Sequence, residues 1–416
     1  MQHACGCDQH SARKTPLLSV QQAQDTLTDH ARCLVGEETL PLAEAQGRTL
    51  AAFITAPISI PPHDNSAMDG YGLNSHDLAL GLTFPVSQRV AAGQAPERLL
   101  PGTCVRIFTG APIPAGVDVV VPQERVTRLA DGGVQVPADL RAGDNIRLAG
   151  EDVRAGALLL QTGSRLEGAE IGLLASQGIA EVTVRQRLKV QVLTTGDELV
   201  QPGQPLRSGQ IYNSNQYTLM AALQRLGCEV SCRHWVADSF DSTREALAAA
   251  ADQADLVIST GGVSVGEEDH VRAAVADLGA LHFWGVAMKP GKPFTFGQVL
   301  GTPFIGLPGN PMAALVTFEV LVIDYLLRLM GRQTRPLMHF PVESGFTRER
   351  TTPRQEYLRV RLDCADFEPV AHLAGSQSSG VLSVATLADG YLVVAPNQPV
   401  VKGERYGFIP RPQLYF

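Results

Sequence analysis

A surplus of positive charge is the first thing this 416-residue sequence lacks: 34 Lys and Arg stand against 42 Asp and Glu, a formal net charge of −8. A general nucleic-acid surface needs a basic stripe to neutralise phosphates and release counterions, so no nucleic-acid partner is expected and any phosphate bound must be held locally. Long uncharged apolar runs are missing too. The most apolar segment, Ala313 to Met330, carries Glu319, Asp324 and Arg328, so it reads as a buried helix and no membrane association is expected. There is no disulfide framework either. Seven cysteines (Cys5, Cys7, Cys33, Cys104, Cys228, Cys232 and Cys364) are odd in number and scattered. With no apolar h-region near residue 1, that points to a reducing cytoplasm.

What is present is a globular composition, 44% hydrophobic and 18% charged, long enough at about 150 residues per domain for roughly three domains. Residues 1–15 hold His3, Cys5, Cys7 and His10 in a spacing that fits no closed zinc pattern, and read as a disordered tail. Ser19 to Leu34 places Val20, Ala23, Leu27, Ala31 and Leu34 three and four apart behind a Ser19/Gln22 capping box, predicting an amphipathic helix. Across 55–148 Pro and Gly become dense and short β-rich pieces appear, at Val105 to Phe108, Val117 to Val121 and Val134 to Val136. Helical patterning returns at Glu167 to Gln177. The small β domain therefore reads as an insertion into a discontinuous linker domain, 16–54 and 149–187.

Residues 188–333 alternate strand and helix: a strand at Lys189 to Leu193, a helix from Asn215 to Leu226 ended by Gly227, a helix boxed by Ser242 and Glu245, and a strand at Leu256 to Ile258. Then come a helix to Leu278, a strand near Phe283, a hairpin around Lys292 and a strand at Pro303 to Leu307. The alternation predicts a doubly wound, mostly parallel α/β domain. From 334 to 416, short punctuated strands such as Tyr357 to Leu362 and Tyr391 to Val394 predict a small C-terminal β domain. The fold class is thus α/β plus β, in an elongated multidomain subunit.

In an open α/β sheet ligands bind beyond the carboxyl ends of the strands. Four loops there carry chemistry: Thr194 to Glu198, Asp238, Ser259 to Asp269, and Gly306 to Pro311. In the third, Gly261, Gly262 and Gly266 let the backbone approach an anion and Ser264 adds a donor; a tight turn with incidental glycines is the plainer alternative. In the fourth, Asn310 is placed as an N-cap and Pro311 as a first helical residue, so a helix N-terminus suited to anions faces the cleft; a well-made cap with no ligand is the alternative. Glu198, Asp238 and Asp269 supply the hard oxygen donors that Mg²⁺ needs when it also binds phosphate. Lys289 and Lys292 flank a Pro-Gly turn among Phe283, Trp284, Phe294 and Phe296, where they could stabilise phosphoryl charge, or lie solvated at the surface. Polar clusters at 61–72, 106–112 and 145–152 read singly as turns in which Asp and Asn satisfy their own backbone.

Together these residues resemble the molybdopterin molybdenumtransferase family, the MoeA type that also occurs as the E domain of gephyrin. The likeness runs from Leu17 to the C-terminus. It rests on seven ordered motifs: DNSAMDGY at Asp64 to Tyr71, TGAPIP at Thr109 to Pro114, GED at Gly150 to Asp152, TGDEL at Thr195 to Leu199, GGVSVGEED at Gly261 to Asp269, KPGKP at Lys289 to Pro293, and GLPGNP at Gly306 to Pro311. The resemblance implies insertion of molybdate into adenylylated molybdopterin with Mg²⁺-dependent release of AMP. It implies an elongated four-domain subunit with a barrel-like C-terminal domain, in a homodimer whose active sites form where two chains meet. Asp69, Thr109, Arg147 and Asp152 of one chain would then face Glu198, Asp238, Asp269, Lys289 and Lys292 of the other. Thr195, Gly261, Gly262, Ser264, Gly266, Pro308, Gly309 and Asn310 would bind substrate, with Arg359 and Ser379 at the molybdate. Hand-over partners are implied as well: an upstream adenylyltransferase and downstream molybdoenzyme chaperones.

Three positions depart from the family pattern: Gly285 where a basic residue often follows the Phe-Trp pair, Met312-Ala313 for Val-Ser, and Leu148-Ala149 for further arginines. The anion site is therefore expected to be less basic and its affinity weaker. Two other readings stand beside the main one. An adenylyltransferase shares the α/β domain but would not need Asp69 or Asp152. An inactive gephyrin-like scaffold would not need every carboxylate. A nicotinamide enzyme is disfavoured, since TTGDEL follows the first strand where G-x-G-x-x-G would be expected.

Overall fold

The computed structural model describes residues 16–235, 239–262, 270–364, 368–411 and 415. Two compact units divide the chain. One comprises Met1–Glu38, Gly47–Ala51 and Val184–Phe416; the other comprises Thr39–Gln46 and Ala52–Thr183.

The first unit is built on six strands, β1 (Lys189–Thr195), β2 (Glu229–Trp235), β3 (Leu256–Thr260), β4 (Gly279–Trp284), β5 (Thr295–Val299) and β6 (Thr302–Leu307). They form one sheet in the order β2-β1-β3-β6-β5-β4. The first three pairings are parallel and the last two antiparallel. All five residues of β3 are buried, the continuous burial expected of a strand covered on both faces. Alternation sorts its side chains. Ile258 joins Val192 and Ile305 in the core on one face, while Val257 joins Leu193 and Phe304 in the core on the other. Helices cover both: α1 (Val20–Asp29) and α2 (Ser214–Leu226) bury Leu27 and Leu223 on the first face, and α3 (Phe240–Gln253) and α4 (His270–Leu278) bury Leu247 and Val275 on the second. The expected doubly wound sheet is present, with an antiparallel hairpin at one edge.

Helix ends show where local patterning yields to packing. Ser19 and Gln22 form the expected reciprocal capping box, but α1 stops at Asp29, short of the expected Leu34. Beyond it Leu34 donates its N–H to the Leu329 carbonyl at 2.9 Å, a bond to a distant segment that a continued helix would forgo. The start of α3 also differs: Ser239, not Ser242, is the N-cap, its hydroxyl accepting the Ser242 N–H. Helix α2 ends as expected at Gly227, in the left-handed region at φ 95°.

The apolar run forms α5 (Pro311–Thr317), a π turn at Phe318–Val322 and α6 (Ile323–Leu329), nearly all of it buried. The π turn carries Glu319, only 1% exposed. Its carboxylate accepts hydrogen bonds from Tyr391, from Tyr415 at 2.8 Å and from Arg411 at 2.9 Å, so the buried charge is paired and bonded. Five further strands, β7 (Phe340–Ser344), β8 (Gln355–Asp363), β9 (Val370–Leu373), β10 (Gly390–Val394) and β11 (Arg405–Pro410), run β8-β9-β7-β11-β10, and β10 pairs back to β8. This closed barrel has its own core of Val342, Leu358, Val360, Leu392 and Phe408.

Burial holds the Tyr325, Tyr357, Tyr391 and Tyr415 phenols above the ordinary value of 10.0. In the unfolded chain they ionise near that value, so above it the folded state binds more protons and stability falls as pH rises. Urea midpoints measured at about pH 8 and about pH 11 should show the loss at the higher value. Equal midpoints would contradict it.

In the second unit a four-stranded sheet holds Val86–Val90, Cys104–Ile107, Gly70–Leu73 and Val119–Pro122 in that order. Leu73, Cys104, Val119 and Val121 pack its core on one side; Ile107, Val105 and Val120 pack on the other. Gly168–Ser176 is the helix expected from Glu167 to Gln177. Among the described residues, no helix is long and apolar enough to cross a membrane, and the five described cysteines are free thiols.

Candidate active site

At the carboxyl ends of β1, β3 and β6 lies a cleft of about 820 Å³. Thr195 and Glu198 line it from the loop after β1, Gly261 and Gly262 from the loop after β3, and Pro308, Gly309 and Asn310 from the loop after β6. Gly261 has φ +92°, and a Cβ there would lie 2.7 Å from the Thr195 carbonyl oxygen; only glycine admits both the backbone conformation and the approach. Two residues that no motif singled out tie the end of β3, the loop after β6 and the start of α2 together. Asn215, in the first turn of α2, donates through Nδ2 to Thr260 Oγ1 at 2.9 Å and to the Gly309 carbonyl at 2.8 Å, while Thr260 Oγ1 donates to the Pro308 carbonyl at 3.0 Å.

Asn310 occupies the N-cap position of α5, yet its side chain makes no capping bond. The Met312 N–H, one of the donors at that helix start, is taken by the Ser379 carbonyl at 2.9 Å. Part of the expected anion-facing helix end is therefore satisfied by the chain itself. Ser379, with Gln377 and Ser378, brings the loop between β9 and β10 into the cleft lining.

The KPGKP turn sits in the connection between β4 and β5, and Lys289 and Lys292 both line the cleft. Met288–Lys289 pairs in parallel with Gln355 and Glu356 at the start of β8. Lys289 Nζ lies 2.8 Å from Glu356 Oε1, and Arg348 holds the same carboxylate through two bonds of 2.9 Å. Burial opposes the charge on Glu356, but hydrogen bonds from Arg348 and Lys289 overcome it and hold its carboxyl below the ordinary range. Lys292 is exposed on the cleft wall. Arg354, donating to the Met288 carbonyl at 3.3 Å, adds a third cation to the lining.

Arg359 is 1% exposed and lies outside the cleft lining. Its guanidinium donates to the Tyr357 carbonyl at 3.1 Å and the Ser378 carbonyl at 3.4 Å, and Nε finds no partner among the described residues. Burial pulls its pKa down to about 10.

Gly285 has φ +82°, and a Cβ there would lie 2.6 Å from Leu17 Cδ2. A long basic side chain at this position would be strained and would collide with Leu17, which accounts for glycine there. Ala313, one of the departures from the expected family pattern, is 3% exposed and lines the cleft.

In the second unit the three polar clusters do not close on themselves as separate turns. Asp69 Oδ1 accepts both the N–H and the hydroxyl of Thr109, each at 2.8 Å, and these bonds lower its pKa. Asp64 Oδ1 accepts the Ala149 N–H at 2.8 Å. Asn65–Ser66 pairs antiparallel with Ile146–Arg147, and the Gly110 N–H donates to the Ser66 carbonyl at 2.8 Å. Asp152 is held through its N–H to Ile60 at 3.0 Å. Asp69, Thr109, Arg147 and Asp152 are all exposed. Asp238, Ser264, Gly266 and Asp269 lie outside the described residues, and among the described ones no group of three metal-ligating side chains occurs.

A doubly wound domain with a polar, cation-bearing cleft at its carboxyl edge, joined to a closed β barrel and to a separate β-rich unit, defines a multidomain α/β-plus-β class, and residues 191–328 match the family described as a probable molybdopterin binding domain. Residues 18–178 match the MoeA N-terminal region (domain I and II) and residues 343–410 the MoeA C-terminal region (domain IV). The molybdopterin molybdenumtransferase of Haemophilus influenzae is 42% identical over 345 residues, 82% of this chain and 85% of that protein. Molybdopterin molybdenumtransferase 2 of Mycobacterium tuberculosis is 39% identical over 83% of this chain and 88% of its own length. A crystal structure of the molybdopterin biosynthesis MoeA protein from Pyrococcus horikoshii superposes with a TM-score of 0.82 at 25% identity, covering 95% of this chain and all of that one. The chain belongs to the molybdopterin molybdenumtransferase (MoeA) family, as its seven motifs imply.

Proposed function

We propose that the protein acts in molybdenum cofactor biosynthesis, inserting molybdenum, supplied as molybdate, into adenylylated molybdopterin with release of AMP. The observation that carries this reading is the cleft. Backbone-lined loops after three strands, the two lysines of KPGKP and the Gln377–Ser379 loop of the barrel converge on one space large enough for a ligand of this size. Gly261, Gly262, Thr195 and the Pro308–Asn310 turn would hold the pterin and phosphate portion, with Ser264 and Gly266 extending the cradle. Lys289, Lys292 and Arg354 would stabilise charge on the departing AMP. Ser379, with Arg359 behind it, would hold the molybdate oxyanion. Mg²⁺ suits the carboxylates of Glu198, Asp238 and Asp269, of which Glu198 is exposed on the cleft wall; when bound it would neutralise phosphate charge. The working form is proposed to be a cytoplasmic homodimer, in which Asp69, Thr109, Arg147 and Asp152 of one copy complete the site of the other.

The deciding experiment incubates the purified protein with adenylylated molybdopterin, Mg²⁺ and molybdate and follows AMP and cofactor formation. Molybdate-dependent AMP release is expected; its absence would sink the reading. In the same assay Asp69→Asn, which keeps the shape of an exposed side chain, should lower activity about 10- to 100-fold while the melting temperature stays within about 2 °C. Unchanged activity would remove Asp69 from the site.

A further inference from the structure

Among the described residues, Lys289 is the one cleft cation whose charged group is fixed by a carboxylate, and that carboxylate comes from another part of the fold. Glu356 is 2% exposed at the head of β8, where a lone ionised carboxylate would be costly. Three contacts relieve the cost: Lys289 Nζ at 2.8 Å, and Arg348 Nη1 and Nη2 at 2.9 Å each. The bidentate Arg348 fork fixes the plane of the carboxylate. The Met288–Lys289 to Gln355–Glu356 pairing fixes its height beside the lysine backbone. Oε1 is thus shared between Lys289 Nζ and Arg348 Nη2, and Oε2 is committed to Arg348 Nη1.

Charge counting gives the consequence. Two cations on one carboxylate leave a net positive cluster, of which the lysine is the member that lines the cleft. The ammonium has three N–H donors; one goes to Glu356, and among the described residues the others remain for an anion. Lys292, on the far side of the same Pro-Gly turn, is exposed.

We infer that Glu356 is a positioning residue: anchored by Arg348, it holds the Lys289 ammonium at a fixed point on the cleft wall for the anionic substrate. The inference rests on the reading of the cleft as the site of molybdenum insertion. A freely rotating lysine would spend most of its time elsewhere, and misplacement of a catalytic group by about 1 Å can cost on the order of 100-fold.

The test is a double-mutant cycle in the AMP-release assay, with thermal melts run alongside. Glu356→Gln should lower kcat/KM about 10- to 100-fold. In a Lys289→Ala background the same change should add less than about twofold, because its effect passes through the lysine. Losses that multiply, or an unimpaired Glu356→Gln enzyme, would overturn the inference. Should Glu356→Gln fail to fold, Arg348→Met serves the same cycle: a loss of about three- to tenfold is expected with Lys289 present. Persistence of that loss with Lys289 removed would again overturn the inference. A wild-type protein that releases no AMP would bring down both this inference and the proposed function, whereas an active wild type with additive variants brings down only this one.

Discussion

Gly261→Ala is expected to remove at least 99% of molybdate-dependent AMP release, a loss of about 100-fold or more, and to destabilise the first unit by about 2 kcal/mol. The backbone there is left-handed at φ +92°, and the added methyl would lie 2.7 Å from the Thr195 carbonyl oxygen. Neither side can yield easily. Thr195 is the last residue of β1, paired with Trp235 of β2, and β3 ends one residue before Gly261. Relief must come from the loop turning away from the cleft, which opens the close approach of Gly261 to Gly309, where a Cβ on Gly309 would lie 3.6 Å from the Gly261 Cα. Urea unfolding reports the stability term and the AMP assay the catalytic one. A variant within about 0.5 kcal/mol of wild type and within twofold in rate would show that the loop is a plain turn.

Glu319→Ala is the second large effect, and it falls on stability rather than on the cleft. The substitution strips the shared acceptor from Tyr391, Tyr415 and Arg411 at a site 1% exposed. Breaking a buried pair in this way costs about 3–5 kcal/mol. The lower end is expected, because the Arg411 side chain keeps 24% exposure and can recruit water. Glu319→Gln retains one acceptor oxygen and should cost less, about 1–2 kcal/mol. Since none of the described hydrogen-bond partners of Glu319 lines the cleft, AMP release at low temperature should survive in both variants. Denaturation followed together with activity separates the two terms. A Glu319→Ala protein as stable as wild type would show the cluster to be energetically neutral.

These variants mark the divide between what local sequence carries and what it does not. Strand and helix alternation over 188–333, the capping box at Ser19 and the left-handed stop at Gly227 were legible because each is set by residues a few positions apart, through side-chain period and backbone conformation. The placement of Glu198, Lys289 and Asn310 on loops at one sheet edge belongs to the same kind, whereas the glycine requirement at Gly261 is set in part by a distant residue, Thr195, whose carbonyl oxygen an added Cβ would meet. Where a distant segment competes, local reading fails: α1 gives up its last turn to the Leu34–Leu329 bond, and Ser239 displaces Ser242 as a cap.

Alone, then, the chain's residues determined the family, the fold class and the placement at the cleft of three strand-end loops, those holding Glu198, Gly261 and Pro308. Tertiary packing decided which side chains meet. Asp69 finds Thr109, Asn215 binds Thr260 and Gly309, and Glu356 finds Lys289, all pairings between segments remote in sequence. The expected strand at Tyr357 to Leu362 did not include Glu356, whose burial appears only in the folded chain. Whether an inward carboxylate is a fault or an anchor depends on the two cations that the folded chain brings to it.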